Sequence, residues 1–220
     1  MLDEGMGTAA PIRAALAPVL GKPGPMIAPK QVHGTVILDS TMGNTLPNVI
    51  EGDGILLNLN DTNKTSALEV SLRFADCAPV VVFPSKENHP WVLMLHSGYK
   101  GTVLNIVKAG LEKVRACYGA CAVDSALAWV GPCIGGTHYP RDKEEWTLRG
   151  LDVFNKENVS FRGEKIFFDI AGELRHQLEG AGIAKERIVL SGIDTFTCRD
   201  LCYSYRRGDS GRMFLWARLP

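Results

Sequence analysis

The run Trp91-Val92-Leu93-Met94-Leu95 is apolar at every position and is followed at once by His96-Ser97-Gly98. A strand that is apolar on both faces has to be covered on both sides, so the fold must place material above and below its sheet. From about Thr102 the apolar positions Val103, Ile106, Val107, Gly110, Leu111 and Val114 recur with the helical period, and Gly119 ends the run. Ala126 to Val130 is again a strand. Strand, helix and strand in that order make a crossover unit, which predicts two parallel strands. A second unit of the same kind is expected from Ile166 to Phe168, an Asp169-capped helix carrying Ile170, Leu174 and Leu178, and Ile188 to Leu190.

The remaining segments fit around these units. The first thirty residues predict a short helix and then a turn-rich lead-in through Lys22-Pro23-Gly24-Pro25. A strand is expected from Gln31, with Val32, Val36, Ile37 and Leu38 as its apolar content. Gly54 to Leu59 is a further apolar run. Ala67 to Phe74 alternates, with Leu68, Val70, Leu72 and Phe74 on one face and Glu69, Ser71 and Arg73 on the other. Val80 to Phe83 is continuously apolar, and Met213 to Ala217 predicts a closing strand. With no internal repeat and no low-complexity linker, the expectation is one domain over residues 1–220, of the α+β (mixed α/β) class, with central mixed sheets flanked by helices.

Composition narrows the function. Of 220 residues, 45% are hydrophobic and 22% charged, enough apolar content for a sizeable core. Lys plus Arg and Asp plus Glu are 24 each, so the formal charge is +0, which disfavours sequence-independent nucleic-acid binding. No apolar run reaches the roughly 18 residues of a membrane span. The start, Met1-Leu2-Asp3-Glu4-Gly5, carries acid where a secretory leader carries base, so the cytoplasm is the expected location. The pairs Cys117/Cys121 and Cys198/Cys202 have no zinc-finger spacing and predict small buried or half-buried thiols.

Three other residues invite chemistry. His33 precedes Gly34, Cys77 lies between Asp76 and Pro79, and His96 ends the apolar run. Titratable groups at strand ends beside glycines are where open sheets form ligand crevices. Two imidazoles and a thiolate suit zinc, with a fourth position left for water or substrate. They also suit a Cys–His nucleophile pair, and three unrelated buried residues is the default reading, since no HxxxH or CxxC proves that they converge.

The motifs around them carry a resemblance. Lys30-Gln31-Val32-His33-Gly34 resembles the QVHG motif of the YfiH family, whose members are also labelled multicopper polyphenol oxidase or laccase-domain proteins. Glu51-Gly52-Asp53-Gly54 falls where that family has its GDA-type turn, and Arg73 to Val80 is similar to its RTADCVPV motif. Leu95 to Thr102 resembles HAGWRGT, Gly131-Pro132-Cys133-Ile134-Gly135 resembles GPCIG, and Tyr203 to Arg207 with Gly211-Arg212 resembles FSYRR…TGR. The resemblance runs from about residue 30 to the end, with residues 1–29 shortened and atypical.

It implies a fold shared with a bacterial toxin deamidase and zinc held by His33, Cys77 and His96. The implied activity is zinc-dependent purine nucleoside phosphorylase and adenosine deaminase, on adenosine, inosine, guanosine or methylthioadenosine, with the nucleoside and phosphate as partners. Cys77, Asp76 and Asp53 are then the catalytic candidates, the two carboxyls as proton donors. Arg73, Lys100 and Arg206, or alternatively Arg207, would hold phosphate. A true multicopper oxidase needs many histidines, and this chain has five, of which His89 and His176 read as surface residues, so copper is not expected. Departures are Tyr99 and Lys100 for Trp and Arg of HAGWRG, and Thr137-His138-Tyr139-Pro140-Arg141 for CxYEV, with His138 either an added polar contact or a solvated loop residue. A metal-free Cys–His amidase or deamidase and a catalytically silent small-molecule binder are the alternatives.

Overall fold

The computed structural model describes residues 14, 17–18, 26–40, 50–59, 69–85 and 91–218. The lead-in through Lys22 to Pro25, the residues Ala67 and Leu68, and His89 lie outside them. The described strands are β1 (Met26–Ile27), β2 (Ile37–Asp39), β3 (Gly54–Asn58), β4 (Glu69–Phe74), β5 (Ala78–Pro84), β6 (Trp91–Ser97), β7 (Ala126–Val130), β8 (Pro140–Arg141), β9 (Val159–Arg162), β10 (Lys165–Phe168), β11 (Ile188–Leu190) and β12 (Met213–Arg218). The helices whose ends are described are α1 (Tyr99–Val103), α2 (Ile106–Tyr118), α3 (Glu145–Val153) and α4 (Ile170–Gly180). The expected mixed α/β architecture is present.

The strands make a six-stranded sheet in the order β11-β7-β5-β6-β3-β2 and two three-stranded sheets, β1-β4-β12 and β8-β10-β9. β5 is antiparallel to both β6 and β7, so the two strands of the first crossover are parallel to each other with β5 between them. The second predicted crossover differs. β10 pairs with β8 and β9 in a separate sheet, and β11 takes β7 as its parallel neighbour. Periodicity identifies a strand but carries no information on which sheet it joins.

Apolar side chains sort to two faces of the large sheet. Leu93 and Leu95 of β6 join the core under α2 and α4, whereas Met94, on the opposite face, packs with Ile55, Leu57, Val70, Leu72 and Phe74. This is the double cover that the apolar run at 91–95 requires. On β4 the polar face is closed as well: Glu69 and Ser71 are 0% and 1% exposed. Alternation there ranks the faces without leaving the polar one open to water.

Two boundaries depart from expectation. The strand expected from Gln31 begins at Ile37, because His33 takes a left-handed backbone (φ 60°) and Gly34 continues a bend. The helix expected from Thr102 is two helices, broken at Asn105 (φ 58°), whose side chain caps α2 by accepting from Lys108 N at 2.9 Å. The thiols of Cys117 and Cys121 are exposed rather than half-buried, Cys198 is half-buried and Cys202 buried.

Topology then concentrates the chemistry. β6, β7 and β11 end at the edge of the large sheet where β2, β3 and β5 begin. The segments carrying His33, Asp53, Cys77, His96, residues 131–139 and residues 191–196 all meet that edge.

Candidate functional site

At the sheet edge His33, Cys77 and His96 converge, with one ligand atom from each lying within 4.8 Å of the others. Among the described residues no other group of His, Cys, Asp or Glu side chains does so. His33 Nε2 is 3.6 Å from Cys77 Sγ, and the two imidazole rings meet edge-on at 5.0 Å. Gly98 makes the approach possible: a Cβ there would stand 2.7 Å from both Cys77 Sγ and His33 Cδ2.

Asp53 organises this cluster. Fully buried, it accepts the consecutive N–H groups of Val32, His33 and Gly34 at 3.1, 2.9 and 2.8 Å and lies 2.8 Å from His96 Nδ1. The first three bonds hold His33 in its uncommon left-handed backbone. The fourth commits His96 Nδ1 and turns Nε2 toward the cluster, the arrangement by which carboxylates orient metal-binding imidazoles. Desolvation alone would raise the Asp53 carboxyl, but the His96 and backbone hydrogen bonds outweigh it and lower its pKa. A carboxylate with that many donors holds the frame around His33 and His96.

Asp76 is equally committed. It adopts φ 80°, and its carboxylate accepts Thr195 Oγ1–H at 2.6 Å and Arg206 N–H at 2.7 Å, while its carbonyl accepts from Ile134 N at 2.9 Å. It therefore ties the Cys77 turn to the 131–135 loop and to the tail.

The cluster's electrostatics are coupled. Desolvation pushes the Cys77 thiol up, but the His96 charge and hydrogen bonds from His33 and His96 draw it down to about 6. Desolvation likewise opposes charge on His96, and the Cys77 charge with the Asp53 bond lifts it to about 9. Without a metal these shifts favour a thiolate beside an imidazolium; an ion bound there takes the thiolate and displaces the imidazole proton, and the two nitrogens and one sulfur suit one borderline ion with an open position.

The cationic candidates separate. Arg73 contributes its backbone: its N–H and C=O clamp the Gln31 side chain, both at 2.8 Å, two residues before His33. Lys100 Nζ lies 4.9 Å from the Trp146 ring, and the Arg206 guanidinium 5.1 Å from the Tyr139 ring. Arg207 donates to the carbonyls of Thr195, Phe196 and Cys202 and pairs with Asp209. Tyr99 is buried, its hydroxyl accommodated by Gly150, with Arg141 stacked 4.1 Å from its ring. His138 is paired with Asp194 rather than solvated. Gln31, Thr195 and Asp194 were not reached from sequence; Asp194, four residues beyond a strand end, carried the one available signal.

The chain is similar to proteins of known name. It is 28% identical over 151 residues to a purine nucleoside phosphorylase of Staphylococcus epidermidis, a match covering 67% of this chain and 55% of that protein. A purine nucleoside phosphorylase of Aquifex aeolicus is 29% identical over 158 residues, covering 72% and 66%. The matches thus span between about half and two thirds of these relatives' lengths. Among solved structures, YlmD of Geobacillus stearothermophilus shares the fold with a TM-score of 0.76 at 23% identity, over 93% of this chain and 77% of that one. The family described as multi-copper polyphenol oxidoreductase laccase matches residues 9–219, and the chain belongs to it.

Proposed function

We propose that this protein is a zinc-dependent enzyme of purine nucleosides, cleaving the N-glycosidic bond with phosphate and deaminating adenosine, in one domain. The observation that carries the reading is the convergence of His33, Cys77 and His96 beneath a buried orienting carboxylate, in a chain whose relatives are named purine nucleoside phosphorylases. When bound, zinc supplies Lewis acidity toward an oxygen nucleophile at neutral pH. The chain's own residues do the rest. Asp53 and Gly98 fix the ligands' approach, and Asp76 holds the Cys77 turn. Arg206 and Lys100, seated on aromatic rings at the same edge, are the phosphate-binding candidates.

Copper oxidation, which the family's description suggests, fits less well. Among the described histidines, His138 is engaged by Asp194 and His176 stands exposed beside Asn155, so neither joins the His33–Cys77–His96 group. The 3.6 Å contact of Cys77 Sγ with His33 Nε2 favours a second reading, a metal-free cysteine amidase.

One experiment divides them. Metal content of the purified protein is measured beside inosine and adenosine turnover, with and without phosphate. Stoichiometric zinc, phosphate-dependent hypoxanthine release from inosine and inosine formed from adenosine are expected. Amidase activity that survives chelation and disappears in Cys77→Ala would transfer the assignment to the second reading.

A further inference from the structure

A second histidine–carboxylate pair lies outside the metal-ligand cluster. His138 Nδ1 is 2.6 Å from Asp194 Oδ2, and Asp194 Oδ1 accepts the N–H groups of Gly135 and Phe196, both at 2.9 Å. With Nδ1 committed to the carboxylate, Nε2 is the ring atom free to carry a proton. The imidazole is stacked on Phe196, with centroids 4.9 Å apart and planes at 17°, so its orientation is fixed from a second side. Gly135 permits the close packing, since a Cβ there would meet Asp194 Oδ2 at 2.7 Å. The His138 side chain keeps 34% of its surface exposed and is reachable by a ligand.

The pair belongs to the same edge as the metal ligands. Asp76, the neighbour of Cys77, bonds Ile134 in the His138 loop and Thr195 beside Asp194. β7 and β11, which precede these loops, lie two and three strands from β6, or roughly 10–14 Å at about 4.8 Å per strand. A ligand lying along the edge could reach both. The other polar groups around the pair are Thr137 Oγ1, 3.3 Å from His138 Nδ1, the Arg207 guanidinium on the Thr195 and Phe196 carbonyls, and Asp169 behind Gly136. In the CxYEV pattern His138 falls on the unspecified position, so the motif itself gives it no role.

Resting on the phosphorylase reading above, we propose that His138, oriented by Asp194, is the general acid that protonates the departing purine. The C1′–N9 bond breaks, its electron pair goes to the base, and the imidazolium passes the Nε2 proton to N7. A phosphate oxygen forms the new bond to C1′. The resulting phosphate monoester then returns a proton to Nε2, so the imidazolium is regenerated. Without the acid the base must leave as an anion, and positioned proton donors contribute about 10²–10⁴-fold.

The test compares wild-type protein and His138→Gln on inosine and on 7-methylguanosine, whose alkylated N7 removes the need for a proton on the leaving base. We expect kcat on inosine to fall about 100-fold or more in His138→Gln. Any loss of wild-type kcat at alkaline pH that depends on this acid should vanish in the variant. Turnover of 7-methylguanosine should change far less, with melting temperature and metal content showing that the fold persists. Equal losses on both substrates, or no loss on inosine, would overturn the proposal while leaving the phosphorylase reading intact. A wild-type protein that cleaves neither nucleoside would overturn that reading, and the proposal with it. Hypoxanthine should also shift the His138 ring resonance in nitrogen-correlated NMR, identified by its loss in His138→Gln; an unmoved resonance counts against the proposal.

Discussion

The chain uses one device twice, in His96–Asp53 and His138–Asp194, and the two copies differ chiefly in burial. Both carboxylates gather backbone N–H groups and present one oxygen to an imidazole Nδ1. The first pair is 5% and 0% exposed by side chain, the second 34% and 20%. A buried pair cannot rearrange without leaving charge unsolvated, which makes it a rigid ligand holder. A half-exposed pair keeps its orientation and still exchanges protons. The difference also sets how much each pair contributes to stability.

Breaking the buried pair has the largest expected effect. Asp53→Asn leaves one acceptor oxygen for donors that now need two, so stability should fall by about 3 kcal/mol, read from denaturant unfolding. Metal affinity should drop about 10–100-fold in chelator competition. A change within error in both would show that Asp53 does not organise the cluster. Gly98→Ala separates the two consequences. Its new methyl meets the ligands rather than the core, so metal stoichiometry should collapse while the unfolding midpoint moves less.

Alkylation of metal-free protein sharpens the electrostatic side. An ordinary thiol loses its thiolate as pH falls below 9.0, whereas Cys77, lowered to about 6, should stay reactive down to about pH 6 and slow only below it. Reactivity already lost below pH 9 would mean that His96 does not support the thiolate. The smallest effect belongs to the exposed pair: Asp194→Asn should cost about 1 kcal/mol and leave metal content unchanged.

How much of this was legible from sequence follows the range of the interactions involved. The apolar run at Trp91–Leu95, the spacing of Ile106 to Val114 and the Asp169 cap are local signals, and each element formed as expected. His33, Cys77 and His96 were singled out by residue type and neighbouring glycines, but spacing alone left their convergence open. The partners of Asp53 and Asp76 were not legible, because a buried carboxylate looks in sequence like any other aspartate until the fold brings distant N–H groups to it. For the same reason β10 read as a partner of β11, although it joins another sheet.

The bonds of Asp76 to Thr195 and to Arg206 span 119 and 130 residues. A nascent chain therefore cannot complete the Cys77 turn until that distant stretch has been synthesised and folded back. The earlier strands can pair before then, but the full anchoring of the Cys77 turn has to wait for the tail.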